Sequence, residues 1–152
     1  MLHEVKKAME TREILLKLRA SQGLSQEELA QKVYVTRQAV SRWETGETVP
    51  NPEALKLLSR LFDVSINTLL GSPRQLFCQC CGMPLEDGII SREPDGAMNE
   101  EYCKWCYANG QFVYASMDQL IDFMAEQSPF PREQARAYFQ KELPKLNHWK
   151  RK

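Results

Sequence analysis

"GLSQEELAQKVYVTRQAVSRWETG", residues 23–46, spells two capped helices joined by a short turn. Ser25 precedes Gln26-Glu27-Glu28. A serine hydroxyl at a helix N-cap accepts the N–H three residues on, and a glutamate there answers the cap's own N–H, so Ser25 and Glu28 spell a capping box. Leu29, Ala30 and Val33 recur on one face of the helix that follows. Thr36 caps a second helix and Gly46 stops it. Thr36, Arg37, Gln38, Ser41 and Arg42 share one side of that helix, and Val40 and Trp43 the other. The apolar side packs on the preceding helix and takes Trp43 into the core. The polar side is left outward, and its residue types suit base edges. Arginine offers two donors to guanine O6 and N7, glutamine pairs with adenine N6 and N7, and serine and threonine reach phosphates or bases.

Similar punctuation extends in both directions. Ile14, Leu15 and Leu18 form the apolar stripe of an earlier helix ending near Gly23. Pro50-Asn51-Pro52-Glu53 opens a later one, with Asn51 at the cap and Pro52 at the first helical position, where its missing N–H costs nothing. Ala54, Leu57, Leu58 and Leu61 are its expected buried stripe. Ser65 starts a last short helix through Leu69 and Leu70, closed by Gly71.

The run from Gly23 through "TGETVPNPEALKLLSRLFDVSINTLL" resembles the phage-repressor (Cro/C1, XRE-type) helix-turn-helix family over about residues 9–71. The resemblance implies a five-helix, lambda-repressor-like bundle. It also implies a homodimer on a palindromic double-stranded DNA operator, with the recognition helix entering the major groove. Carried over by position, Gln26 stands near the DNA backbone, Arg37, Gln38 and Arg42 read bases, and Thr36 and Ser41 support phosphate contacts. One departure is Tyr34, in a turn where the family often has glycine. A left-handed backbone there costs a tyrosine energy that glycine is spared.

The second half has a different texture. Gly71 to Gln75 breaks the helical stripe, and Gly82, Pro84, Gly88, Pro94, Asp95-Gly96 and Gly110 divide the chain into turns. Ile89-Ile90 and Phe112-Val113-Tyr114 are candidate strands. All five cysteines lie between positions 78 and 106. Cys78-Gln79-Cys80-Cys81 and Cys103-Lys104-Trp105-Cys106 each contain C-x₂-C, a spacing that lets one tight turn aim two thiolates at one ion. Twenty-one residues separate the pairs, near the usual ribbon spacing. One Zn²⁺ per chain is the expected ion, and a rubredoxin-like iron site shares the same ligands. Four thiolates fill zinc's coordination shell, so the role expected is structural.

"CQCCGMPLEDG", "NEEYCKWCYANGQFVY" and the closing "LPKLNHWK" resemble a zinc-ribbon domain found in bacterial proteins, over about residues 76–150. That resemblance assigns the ligands to Cys78, Cys81, Cys103 and Cys106, because its pattern has another residue where Cys80 stands. Cys80 is then a spare thiol, read as a tolerated small residue or as a redox trigger. His3 and His148 are expected at the surface, and Lys150-Arg151-Lys152 as a solvated tail. Met117, Leu120, Ile121 and Met124 mark one tail helix, and Ala135, Tyr138, Phe139, Glu142 and Leu146 a second that Pro144 ends or kinks.

The expected architecture is mainly α. It comprises a DNA-binding domain over 1–71, a linker over 72–76, and a zinc ribbon with two C-terminal helices over 77–152. The chain has 152 residues, 43% hydrophobic and 26% charged, the composition of a globular protein. Halves of about 75 residues are near the size where a core alone is marginal, so a metal staple makes physical sense. Lys and Arg exceed Asp and Glu by 11 to 9 over residues 1–74, and the excess reverses, 9 to 11, over 75–152. Basic groups for DNA must therefore be placed locally. The stretch Met1 to Glu10 is polar and reads as no secretory signal, and no run of 18 apolar residues occurs. Clustered cysteines without a signal suit a reducing, cytoplasmic setting. No βαβ context surrounds the C-x₂-C pairs and no nucleophile, base and orienter occur together, so an enzyme is not expected. The function expected is sequence-specific transcription regulation in a bacterial cell. The alternatives are an antitoxin-like or protein-binding adaptor, or a redox- or metal-responsive switch.

Overall fold

The computed structural model describes residues 9–150, which form two compact units dividing between Arg74 and Gln75. His3, Arg151 and Lys152 lie outside the described residues.

The first unit is helical: α1 (Thr11–Ser21), α2 (Gln26–Lys32), α3 (Arg37–Thr45), α4 (Pro52–Phe62) and α5 (Ile66–Leu69). The caps are those the sequence spells. Ser25 Oγ accepts from Glu28 N at 3.0 Å while Ser25 N donates to Glu28 Oε1 at 3.1 Å. Thr36 Oγ1 accepts from Ala39 N, and Asn51 Oδ1 from Ala54 N. Each satisfies an N–H that the first helical turn leaves without a partner. Gly46 ends α3 in the left-handed conformation. Leu15, Leu29, Val40, Leu58 and Leu69, one from each helix, are fully buried in one core, and Trp43 joins them.

The inner stripe of α4 differs from the sequence reading. Ala54, Leu55, Leu58, Ser59 and Phe62 are buried, whereas Leu57 and Leu61 are only partly so. The helix turns its 55–58–62 edge inward. Ser59 tolerates burial because its Oγ donates to Val64 O at 2.5 Å. Past α5, Asn67 holds the chain by Nδ2 to Arg74 O at 2.9 Å and by Oδ1 from Arg74 N at 3.3 Å. Gly71 is required there, because at φ +89° a Cβ would lie 2.4 Å from the Met9 carbonyl oxygen.

Tyr34 takes the left-handed turn between α2 and α3, at φ 59° and with 84% of its surface exposed. Its side chain gains little burial to offset the strain. Replacing Tyr34 with glycine is expected to stabilise the first unit by about 1 kcal/mol, the left-handed penalty less glycine's extra chain entropy. A urea midpoint that falls in Tyr34→Gly would show that the tyrosine makes a stabilising contact.

The second unit holds two small antiparallel sheets followed by helices. Strand β1 (Ile90–Arg92) pairs with β2 (Met98–Cys103), with a bulge between Ile90 and Ser91. Strand β3 (Tyr107–Ala108) pairs with β4 (Gln111–Phe112). The β3–β4 turn is Asn109-Gly110, both at positive φ, the geometry a two-residue hairpin turn demands. Helices α6 (Met117–Gln127) and α7 (Arg132–Glu142) follow. Asp122 of α6 is ion-paired with Arg132 and Arg136 of α7. The second tail helix ends at Glu142. Leu143–Lys145 then forms a 3₁₀ turn around Pro144, and Asn147–Lys150 a short α8. The tail thus carries three α-helical segments among the described residues, one more than the sequence reading. Leu76, Leu85, Leu120, Ile121, Leu143 and Trp149 pack with the buried cysteines into one core.

Candidate metal centre and nucleic-acid interface

Two short loops carry the cysteines. In the first, Cys78 N donates to Met83 O and Gly82 N to Cys78 O, both at 2.8 Å. Gly82 stands at φ 84°, and Cys81 N points at Cys78 Sγ at 3.5 Å. The second loop closes with Cys106 N to Cys103 O at 3.1 Å and continues into β3. The sulfurs of Cys78, Cys81, Cys103 and Cys106 all lie within 4.8 Å of one another, with Cys81 and Cys103 3.9 Å apart. A tetrahedral ion with metal–sulfur bonds of about 2.3 Å sets its sulfurs about 3.8 Å apart. The donor set and its spacing therefore fit such an ion.

The electrostatics point the same way. Cys78 is held far below the ordinary thiol range, chiefly by the sulfur of Cys103 and then by Cys106 and Cys81. Cys103 falls to about 7, chiefly through Cys106. Cys81 and Cys106 are pushed up, in each case chiefly by Cys103. Four sulfurs this close cannot all ionise unless a cation neutralises them, which is what a divalent metal supplies. Burial, and then the negative field of the cysteines, raises the Tyr114 phenol. Cys80 is buried at 1% exposure and is not among the four converging sulfurs.

The end of the chain clamps the first cysteine loop. Trp149 Nε1 donates to Cys80 O at 2.8 Å, His148 N to Gln79 O at 3.2 Å, and Asn147 N to Gln79 Oε1 at 3.3 Å. His148 is therefore not the surface histidine expected from sequence. It is 6% exposed, with its ring centroid 4.4 Å from that of Phe112 and 4.5 Å from that of Trp149. Nothing local in "LPKLNHWK" announces these contacts. They join residues 68 or 69 positions apart.

In the first unit, the side of α3 away from the core carries Arg37, Gln38 and Arg42. All three are exposed, and their side chains make no hydrogen bond or ion pair among the described residues. Ser41 is half-buried beside them. Thr36 is exposed with its hydroxyl occupied as the cap. Gln26 is different: its Nε2 donates to Glu44 Oε2 at 3.0 Å. Glu44 also takes Arg19 Nε at 2.5 Å, and Arg19 reaches Leu24 O at 2.8 Å. Glu44 thus ties α3 to α1 and to the start of α2. The sequence reading missed this triad, because a glutamate late in a polar-faced helix reads as solvated.

Comparison with known proteins divides the chain in the same two parts. A family described as "Helix-turn-helix" matches residues 15–69, and one described as "Putative zinc ribbon domain" matches residues 77–150. The HTH-type transcriptional activator BcrR of Enterococcus faecalis is 48% identical over 62 residues. That match takes in 41% of this chain and 30% of the relative's length. Among solved structures, the P22 c2 repressor in complex with synthetic operator 9T shares 34% identity. It covers 41% of this chain and 94% of that one, with a TM-score of 0.40. A transcriptional regulator from Listeria innocua shares 29% identity over 45% of this chain and 64% of its own, with a TM-score of 0.42. No helix among the described residues is long and apolar enough to cross a membrane.

Proposed function

We propose that this chain, which joins an XRE-type helix-turn-helix domain to a zinc ribbon domain, is a sequence-specific DNA-binding regulator of transcription. The observation that carries the reading is the outer face of α3, where Arg37, Gln38 and Arg42 stand exposed, their side chains unengaged among the described residues. Donors left free on a helix that is otherwise packed and capped suit the major groove, where guanine and adenine edges accept them. Arg37, Gln38 and Arg42 read bases. Thr36 and Ser41 support phosphate contacts, and Gln26 stands near the DNA backbone while bound to Glu44. The chain acts in the cytoplasm as a homodimer on a palindromic operator, with half-sites about one helical turn apart.

The domains are a five-helix repressor-like bundle over 1–71, a linker over 72–76, and a ribbon with its helical tail over 77–152. Cys78, Cys81, Cys103 and Cys106 hold one Zn²⁺. The bound ion supplies positive charge that lets four thiolates share one centre, and its role is structural.

The test is selection of operator sequences from a random DNA library by the full chain, with zinc and iron content measured on the same sample. Arg42→Ala is expected to weaken specific binding by about 1–3 kcal/mol and to relax the preference at one base position. Unchanged operator affinity in a folded Arg42→Ala variant would refute that contact. Recovery of no preferred sequence would refute the DNA reading and favour a protein-binding role.

A further inference from the structure

A cavity of about 540 Å³ lies within the second unit, between the cysteine loops and the α6–α7 pair. Its size is that of a small-molecule site. Trp105, Tyr114, Phe123, Tyr138 and Phe139 line it, together with Met83 and Met124. Trp105, Phe123 and Tyr138 are each about half exposed or more, so the cavity opens to solvent on its aromatic side. No lysine, arginine, aspartate or glutamate is among its lining residues. Besides the phenols of Tyr114 and Tyr138, the lining groups that can carry charge are the sulfurs of Cys81, Cys103 and Cys106.

Two properties of this lining select the sign of a ligand. Ring faces are the negative ends of aromatic quadrupoles and attract cations. Trp105 is already engaged in this way, since Lys104 Nζ stands 5.0 Å from its centroid and sets one positive charge at the cavity's edge, so a ligand cation is left the rings of Tyr114, Phe123, Tyr138 and Phe139. Four thiolates around one divalent ion also leave a net charge of about −2 on the cavity's inner wall. An apolar space with an aromatic mouth and a negative floor matches an ion whose charge is shielded by hydrocarbon.

We propose that this cavity is a binding site for lipophilic organic cations, such as bulky phosphonium, quaternary ammonium or delocalised aromatic cations. The inference rests on the zinc reading of the four cysteines, because the metal–thiolate centre supplies the charge.

The experiment uses the zinc-loaded full chain, its metal content measured first, and titrates it by calorimetry with tetraphenylphosphonium and with tetraphenylborate. These probes have matched size and opposite charge. The cation is expected to bind in the micromolar range, and the borate at least roughly tenfold more weakly. Phe123→Ala and Tyr138→Ala are each expected to weaken the cation roughly tenfold. Phe130→Ala, at an exposed position outside the cavity, should leave it unchanged. Equal binding of the two probes overturns the proposal, as does a cation affinity that neither cavity variant alters or that is weaker than millimolar. If Phe123→Ala converts a dimer to a monomer while neither form takes up the cation, the face belongs to a second copy and the proposal also falls. Absence of zinc from the purified chain is seen before any probe is added. It removes the metal reading on its own evidence and this proposal with it.

Discussion

Removing the metal with a strong chelator is expected to unfold the second unit and to leave the first unit folded. The second unit's core is built around its cysteines, since Cys78, Cys103 and Cys106 are buried and pack with Leu76, Leu85 and Tyr102. Its sheets have two strands each, and such pairs are marginal alone. Without a cation the four sulfurs cannot ionise together at their observed spacing, so the loops must separate or keep their protons. Structural zinc in small domains contributes roughly 10–16 kcal/mol of apparent folding free energy at neutral pH. Few domains of this size have that much stability to lose.

The first unit shares none of this dependence, because every cysteine lies beyond residue 77. Trp43 reports on the first core, and Trp149 on the clamp at Cys80. Chelation should therefore move the Trp149 indole signal to its random-coil position in an NMR spectrum and leave the Trp43 signal in place. Acid should do the same, since metal binding requires thiolates and protons compete for them as pH falls. A metal-free sample that keeps the Trp149 environment and a cooperative second transition would sink the structural role of the ion.

Glu44→Ala is expected to cost the first unit about 3 kcal/mol, because it leaves the Arg19 guanidinium largely buried without a counter-ion. The Glu44 side chain is 5% exposed and that of Arg19 17%, so solvent screens the pair little. The loss spreads beyond one ion pair. Gln26 Nε2 loses its acceptor, and the C-terminal half of α3 is no longer tied to α1. Operator affinity should fall further than stability alone explains, because the helix that carries Arg37 and Arg42 is freed to tilt. Denaturant unfolding measures the first effect, and binding at a temperature where the variant is fully folded measures the second. A stability change below about 1 kcal/mol would show that water replaces the glutamate at no cost.

The helices of the first unit were legible because their signals are local. Ser25 with Glu28, Thr36, and Asn51 before Pro52 each set a helix start within four residues, and the structure uses every one. The C-x₂-C pairs are local in the same sense, since a tight turn brings Cys78 and Cys81 within reach of one ion whatever surrounds it. Strand β2 escaped notice because Met98-Asn99-Glu100-Glu101 carries no β-branched residue. Its strand state comes from pairing with β1. Asn109-Gly110 did carry a hairpin signal that the sequence reading counted only as a break.

Local signals mark two units, one helical and one loop-rich, the helix that presents Arg37, Gln38 and Arg42, and the cysteines spaced for one metal. Those properties rest on capping, periodicity and spacing, which act over a few residues. Long-range packing set which edge of α4 turns inward, bound Gln26 to Glu44, and closed His148 and Trp149 over the first cysteine loop. It alone made an aromatic cavity from residues 81 to 139. Each of these depends on burial between segments far apart in the chain. The energy of such contacts is set by which surfaces meet and exclude water, and no local pattern encodes it.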